Sequence, residues 1–170
     1  GNTMAGSAFG GPMFDAEAAY FDDDANNIYF AIVTNFPIEG TPDWPFYMFG
    51  DVAITLTGAT WDYEFGMKTR GPDAGSVFSN PTWSLPHSAF GFPSEGPSEL
   101  SGGTYVGDGQ MAYQVSSVVS YGVPSNVLEG SISKDLLGIP LDIAGLGVEV
   151  KVHWTMSCGN DAVTVVGDID

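Results

Sequence analysis

Glycine and proline recur 23 and 11 times in 170 residues, so no stretch of this chain keeps a helical period for long. What survives between the breakers is a series of short runs rich in β-branched and aromatic residues, several of them alternating apolar with polar. That pattern is the signature of half-buried strands joined by tight turns. Such runs lie at Phe14–Phe21, Ile28–Thr34, Val52–Thr57, Trp61–Thr69, Gly103–Gly107, Met111–Tyr121, Asn126–Ile132, Val148–Met156 and Ala162–Val166. Between Val77 and Pro97 four prolines leave only a short extended piece around Thr82–Leu85.

The sharpest local signal is a hairpin between Phe14 and Phe36, because Asp22-Asp23-Asp24-Ala25-Asn26-Asn27 places five Asp and Asn turn formers between two strand-like runs. One short helix is predicted over Ser133–Leu137, with Ser133 as N-cap and Gly138 as stop. The sum is an all-β chain: an antiparallel β-sandwich, jelly-roll-like in its wiring, with that single helix. Residues 14–170 make one domain. Residues 1–13, rich in Gly, Ala and Ser, read as an arm that could serve as an inter-subunit donor strand.

Charge narrows the partners. Twenty-one Asp and Glu stand against four Lys and Arg, a net charge of −17. The cations Lys68, Arg70, Lys134 and Lys151 are scattered, so there is no basic stripe for nucleic acid or an anionic membrane surface. No apolar run approaches the roughly 20 residues of a spanning helix.

Catalytic chemistry finds little footing. His87 sits in a proline-rich loop, and His153 on a strand beside Trp154 reads as a structural residue. No nucleophile elbow, zinc-protease helix or phosphate loop occurs. Cys158, the single cysteine, excludes an intrachain disulfide and reads as a small buried apolar group. A two-carboxylate glycosidase has no spacing to recommend it. The chain is therefore not expected to be an enzyme.

The carboxylates are more informative. Asp22, Asp24 and Asn26 have the spacing that opens an EF-hand loop, but Asn27 and Val33 stand where Gly and Glu are needed. A looser calcium turn and a plain Asp/Asn turn both remain open there. Asp15 and Glu17, two apart on a strand, share a face. Asp51 opens another strand, and Asn160 and Asp161 lie in a turn. Oxygen ligands on strand ends and turns suit Ca²⁺, so calcium is the expected cofactor, with Asp15, Glu17, Asp22, Asp24, Asp51, Asn160 and Asp161 as candidate ligands.

The stretches from Asp15 to Asp24, from Ala31 to Thr34, from Gly50 to Ile54, and His153-Trp154-Thr155-Met156-Ser157-Cys158-Gly159-Asn160-Asp161 occur here in order. Together they resemble a group of secreted bacterial surface proteins of the PEP-CTERM-associated type. More distantly they are similar to DOMON-like and family 9 carbohydrate-binding sandwiches. The resemblance implies a secreted or cell-surface location and structural calcium held by Glu17, Asp51, Asn160 and Asp161, with Asp15. It departs from that group at Asp168-Ile169-Asp170, where a Pro-Glu-Pro motif, an apolar helix and a basic end would stand. Gly1, in place of an initiator Met, is read as the start of a mature chain whose leader has been removed.

Two functions compete. One is a structural subunit of an extracellular filament, matrix or surface layer, calcium-stabilised and joined to itself through the N-terminal arm. The other is a non-catalytic carbohydrate-binding module for extracellular polysaccharide, with Trp44, Tyr47, Trp61 and Trp83 as a stacking platform, joined by Phe46. Core and loop packing is the competing account of those aromatics.

Overall fold

The structure is a computed structural model that describes residues 11–41, 47–56, 64–84, 96–120, 122–139 and 148–169. Ten strands are assigned: β1 (Ala16–Asp23), β2 (Asn27–Thr34), β3 (Val52–Leu56), β4 (Phe65–Met67), β5 (Ser76–Ser84), β6 (Glu99–Asp108), β7 (Gln110–Ser120), β8 (Val123–Ser133), β9 (Val148–Thr155) and β10 (Ala162–Ile169). They form a four-stranded sheet in the order β1-β2-β8-β7 and a six-stranded sheet in the order β10-β9-β3-β4-β5-β6. Every pairing is antiparallel. The all-β sandwich is thus the architecture. Its wiring differs from the expected jelly roll: consecutive strands mostly stay in one sheet, as hairpins β1-β2, β7-β8 and β9-β10 and the meander β3 to β6.

The expected helix at Ser133–Leu137 is instead a run of i→i+3 turns, from Leu136 N to Ser133 O through Gly138 N to Asp135 O. Both end signals function, since Ser133 Oγ accepts from Asp135 N and Gly138 adopts φ 68°. Too few residues lie between them to propagate an i→i+4 ladder. A 3₁₀ turn at Pro12–Phe14 is the helical element among the described residues. Residues 1–10 of the predicted arm lie outside them.

The core sits between the sheets. Ile28, Phe30 and Ile32 of β2 with Leu128 and Ile132 of β8 face Val52, Ile54, Val150, Val152, Val163 and Val165 of the larger sheet, all buried. Trp154 is fully buried, its ring centroid 4.6 Å from that of Phe49, and its indole N–H donates to Gly50 O at 3.0 Å. The one polar atom of the largest core side chain is therefore satisfied.

Both long sides of the sandwich are tied. Only Gly109 separates β6 from β7, so the chain turns there from the edge of one sheet into the edge of the other. A Cβ at Gly109 would lie 2.6 Å from Ser131 O, which leaves room for glycine alone. On the opposite side Asp161 Oδ2 accepts from Ala16 N at 2.9 Å, and the Phe21 ring lies over Gly167, where a Cβ would come 2.0 Å from it.

Candidate functional site

Register across the four-stranded sheet lines up its outward side chains in two rows. One row runs Tyr20, Ala31, Glu129, Ala112, and the next runs Asp22, Tyr29, Ser131, Gln110. Large and small residues alternate, and the small ones leave a cleft of about 450 Å³ on the outer face, lined by residues of β1, β2, β8 and β7. That volume falls in the range of small-ligand sites, roughly 300–1,000 Å³. Tyr20 and Tyr29 stand in its wall, 58% and 38% exposed. As diagonal neighbours on adjacent antiparallel strands they lie about 7–8 Å apart at their backbones.

Tyr29 is held in place by the turn beneath it. Asp24 Oδ1 accepts from Asn26 N (2.7 Å) and Asn27 N (2.8 Å), closing an Asx turn between β1 and β2. Its other oxygen accepts the Tyr29 hydroxyl at 2.7 Å, and Asn27 Nδ2 reaches the same hydroxyl at 3.4 Å. The Tyr29 bond, with those two backbone donors, holds the Asp24 carboxyl below its usual range, and the same bond pushes the Tyr29 phenol up. The ring edge is anchored while its body faces the cleft, so little rotamer freedom is left to lose on binding.

The carboxylates expected as calcium ligands have other occupations. Asp24 is spent on the hairpin turn, and Asp22 Oδ1 accepts from Asp23 N at 3.0 Å. Asp51 is 3% exposed; Oδ1 accepts from Thr69 N and Thr69 Oγ1, Oδ2 accepts from Leu100 N, and Lys68 Nζ lies 3.2 Å away. Asp161 bridges Ala16 N and Ala162 N. Its carboxyl is pushed up to about 6, chiefly by burial, with the facing Asp15 adding to it. Glu17 sits at the β1 bulge, where Oε2 accepts from Ser125 Oγ at 3.4 Å while Oε1 is buried with no hydrogen-bond partner. Asn160 lies in the turn before β10, partly exposed. Asp15 and Asp161 are brought face to face, but among the described residues no three His, Cys, Asp or Glu side chains gather as a metal-binding group. Asp22 and Asp24 belong to the β1-β2 turn, Asp51 stands at the head of β3, and Asp15 and Asp161 face each other, so the seven are not gathered at one point.

Of the expected stacking platform, Trp44, Phe46 and Trp61 lie outside the described residues, as does His87. Tyr47 is half-buried, edge-on to Phe14 at 6.1 Å. Trp83 is half-buried with its ring over Gly66, beside Leu100. Cys158 is buried, and burial pushes its thiol up, as befits an apolar filler.

His153 is 2% exposed, with Nδ1 2.8 Å from Thr164 Oγ1 on the paired strand. Burial, reinforced by Lys151, lowers its pKa to about 4. The folded pKa lies below the unfolded one, so the unfolded chain binds the extra proton first. Stability from this residue is intact above pH 6.5 and is lost as pH falls toward 4, by about 3 kcal/mol. Asp161 works in the opposite sense, since its raised pKa favours the folded state as pH falls through 6. Urea denaturation of the native chain and His153→Asn isolates the histidine. The stability advantage of the native chain should shrink by about 3 kcal/mol between pH 7 and pH 4; a constant gap would contradict the assignment.

Tyr20 and Tyr29 were not legible as a pair from composition. The signal was in the hairpin itself: a turn at Asp24–Asn27 forces Asp22 opposite Tyr29 and Tyr20 opposite Ala31, all on one face. Comparison with known protein families, characterised proteins and solved structures finds no match for this chain.

Proposed function

We propose that this chain is a non-catalytic glycan-binding module that works outside the cell, the location that the surface-protein resemblance implies. The observation that carries the reading is the cleft on the outer face of β1-β2-β8-β7. It combines two exposed tyrosine rings with side-chain amide, carboxylate and hydroxyl groups from Gln110, Asp22, Glu129 and Ser131. An aromatic face takes the apolar face of a sugar ring, and the polar groups around it take the hydroxyls. Affinity electrophoresis through gels carrying a panel of polysaccharides tests the proposal. At least one glycan should retard the native chain, and Tyr20→Ala/Tyr29→Ala should migrate freely while keeping its melting temperature.

A second reading, the subunit of an extracellular filament or surface layer, is favoured by β6. This ten-residue strand ends the larger sheet and carries exposed Ser101, Thr104 and Tyr105 with no lysine or proline to discourage an added strand. In that reading the arm of a second copy is the donor, and a cation between Asp15 and Asp161 relieves their facing charges. Light scattering with calcium and then with chelator separates the two: a chain that stays monomeric in both is no filament subunit.

A further inference from the structure

The charge of the cleft specifies the kind of glycan. Asp22 and Glu129 are among its lining residues, and no Lys or Arg is. Among the described residues the ion pairs are Lys68–Asp51, Arg70–Glu99 and Lys134–Asp23, so neither cleft carboxylate is neutralised by a cation. The rest of the molecule adds to the same sign, with a net charge of −17. A uronate or sulfated glycan would approach against the field of the whole chain and then meet two bare carboxylates. Carboxylates are acceptors only, and a sugar ring with free vicinal hydroxyls offers the donors they need.

Shape adds the length. The cleft crosses four strands, and three interstrand spacings make about 14 Å, the span of a short oligosaccharide and more than one ring. Tyr20 and Tyr29 stand at the β1-β2 end of that span, with Glu129 and Gln110 toward the β7 end. Stacking is therefore concentrated at one end, with Asp22 beside it, and the remaining polar groups extend toward the other.

Resting on the glycan-binding reading, we infer that the ligand is an uncharged hexopyranose chain, gripped over several rings, and that the carboxylates act as hydrogen-bond acceptors for its hydroxyls and not as countercharges. The amine of a deacetylated amino sugar is the competing chemistry for two tyrosines beside two carboxylates. The two differ in how they respond to salt and to removal of the charge.

The test is calorimetric titration of the whole chain with neutral gluco- and mannooligosaccharides of increasing length, with chitosan oligomers and with alginate oligomers, each at low and high salt. The native chain should bind a neutral series, with affinity rising over the first few rings and changing less than about twofold with salt. Glu129→Gln, which keeps an acceptor and loses the charge, should bind that series within about threefold of native, whereas Tyr29→Ala should lose about tenfold. Circular dichroism and melting of each variant establish that the exposed substitutions leave the fold intact. Binding confined to chitosan oligomers, abolished by salt and by Glu129→Gln, would overturn the inference while leaving glycan binding in place. Binding confined to alginate would do the same. Binding to none of these or to any other glycan in the gel panel would remove the glycan-binding reading itself.

Discussion

Replacing Asp51 by alanine should cost about 3–5 kcal/mol, a large share of the roughly 5–15 kcal/mol that holds a domain together. The reason is geometric. Asp51 is almost fully buried at the head of β3, and its two oxygens gather the Thr69 amide and hydroxyl, the Leu100 amide and the Lys68 ammonium. Its own amide donates to Ser98 O at 2.6 Å. One side chain therefore ties β3 to the segment after β4 and to the start of β6. Removing it strands two buried backbone N–H groups and takes the counter-charge from the Lys68 ammonium, which keeps only the Leu100 carbonyl as acceptor. Asp51→Asn is expected to do little better, because an amide presents a donor where Oδ2 now accepts. Urea unfolding should show the loss in both variants, with a melting temperature roughly 8–15 °C lower. A change under 1 kcal/mol would mean that the carboxylate is free for some other duty, a calcium ion included.

The second large effect concerns Lys134, whose side chain is 3% exposed and whose ammonium lies 2.6 Å from Asp23 Oδ2. Its amide donates to Asn26 O at 2.8 Å, so the residue clamps the turn after β8 onto the β1-β2 turn. Lys134→Met leaves Asp23, 12% exposed, as an uncompensated buried charge, and the expected loss is about 3–5 kcal/mol. Asp23→Leu/Lys134→Met removes both charges and should recover to within about 1 kcal/mol of the native chain. A double-mutant cycle by chemical denaturation gives both numbers. If the single and double variants are equally unstable, the loss comes from the packing of the Lys134 stem and not from an unpaired Asp23 charge.

Where the sequence could be read, the reason was local. The β1-β2 hairpin follows from alternation on either side of an Asp/Asn cluster, and Asp24 closes that turn with its own oxygen. β5 was the harder case, because Pro81 interrupts it. The strand nevertheless runs from Ser76 to Ser84, since Asn80 (φ 47°) and Pro81 fall in a bulge against β6, where Pro81 has no ladder N–H to supply while Asn80 N donates to Glu64 O. The sheet order could not be read, because the β2-β8 and β3-β9 pairings join segments roughly a hundred residues apart and no local signal encodes them. The carboxylates are ambiguous for a related reason. A sequence displays acidic residues without the amides, hydroxyls and ammoniums that come to occupy Asp24, Asp51 and Asp161. In a chain this acidic, hydrogen-bond acceptors that build the fold look the same as metal ligands. The aromatics invert the problem. Trp83 is conspicuous and half-buried, whereas Tyr20 and Tyr29 are unremarked in sequence and become a pair only through strand register.

A glycan bound as proposed lies on the outer face of β1-β2-β8-β7. Amide and aromatic NMR shifts, followed while a glycan that retards the chain in the gel panel is added, test it most directly. Saturable shifts are expected, confined to Tyr20, Asp22, Tyr29, Ala31, Gln110, Ala112, Glu129 and Ser131, with the Tyr29 ring resonances moving furthest. Shifts centred on β6, on the Asp15–Asp161 pair or on Trp83 would place the site elsewhere and contradict the proposal.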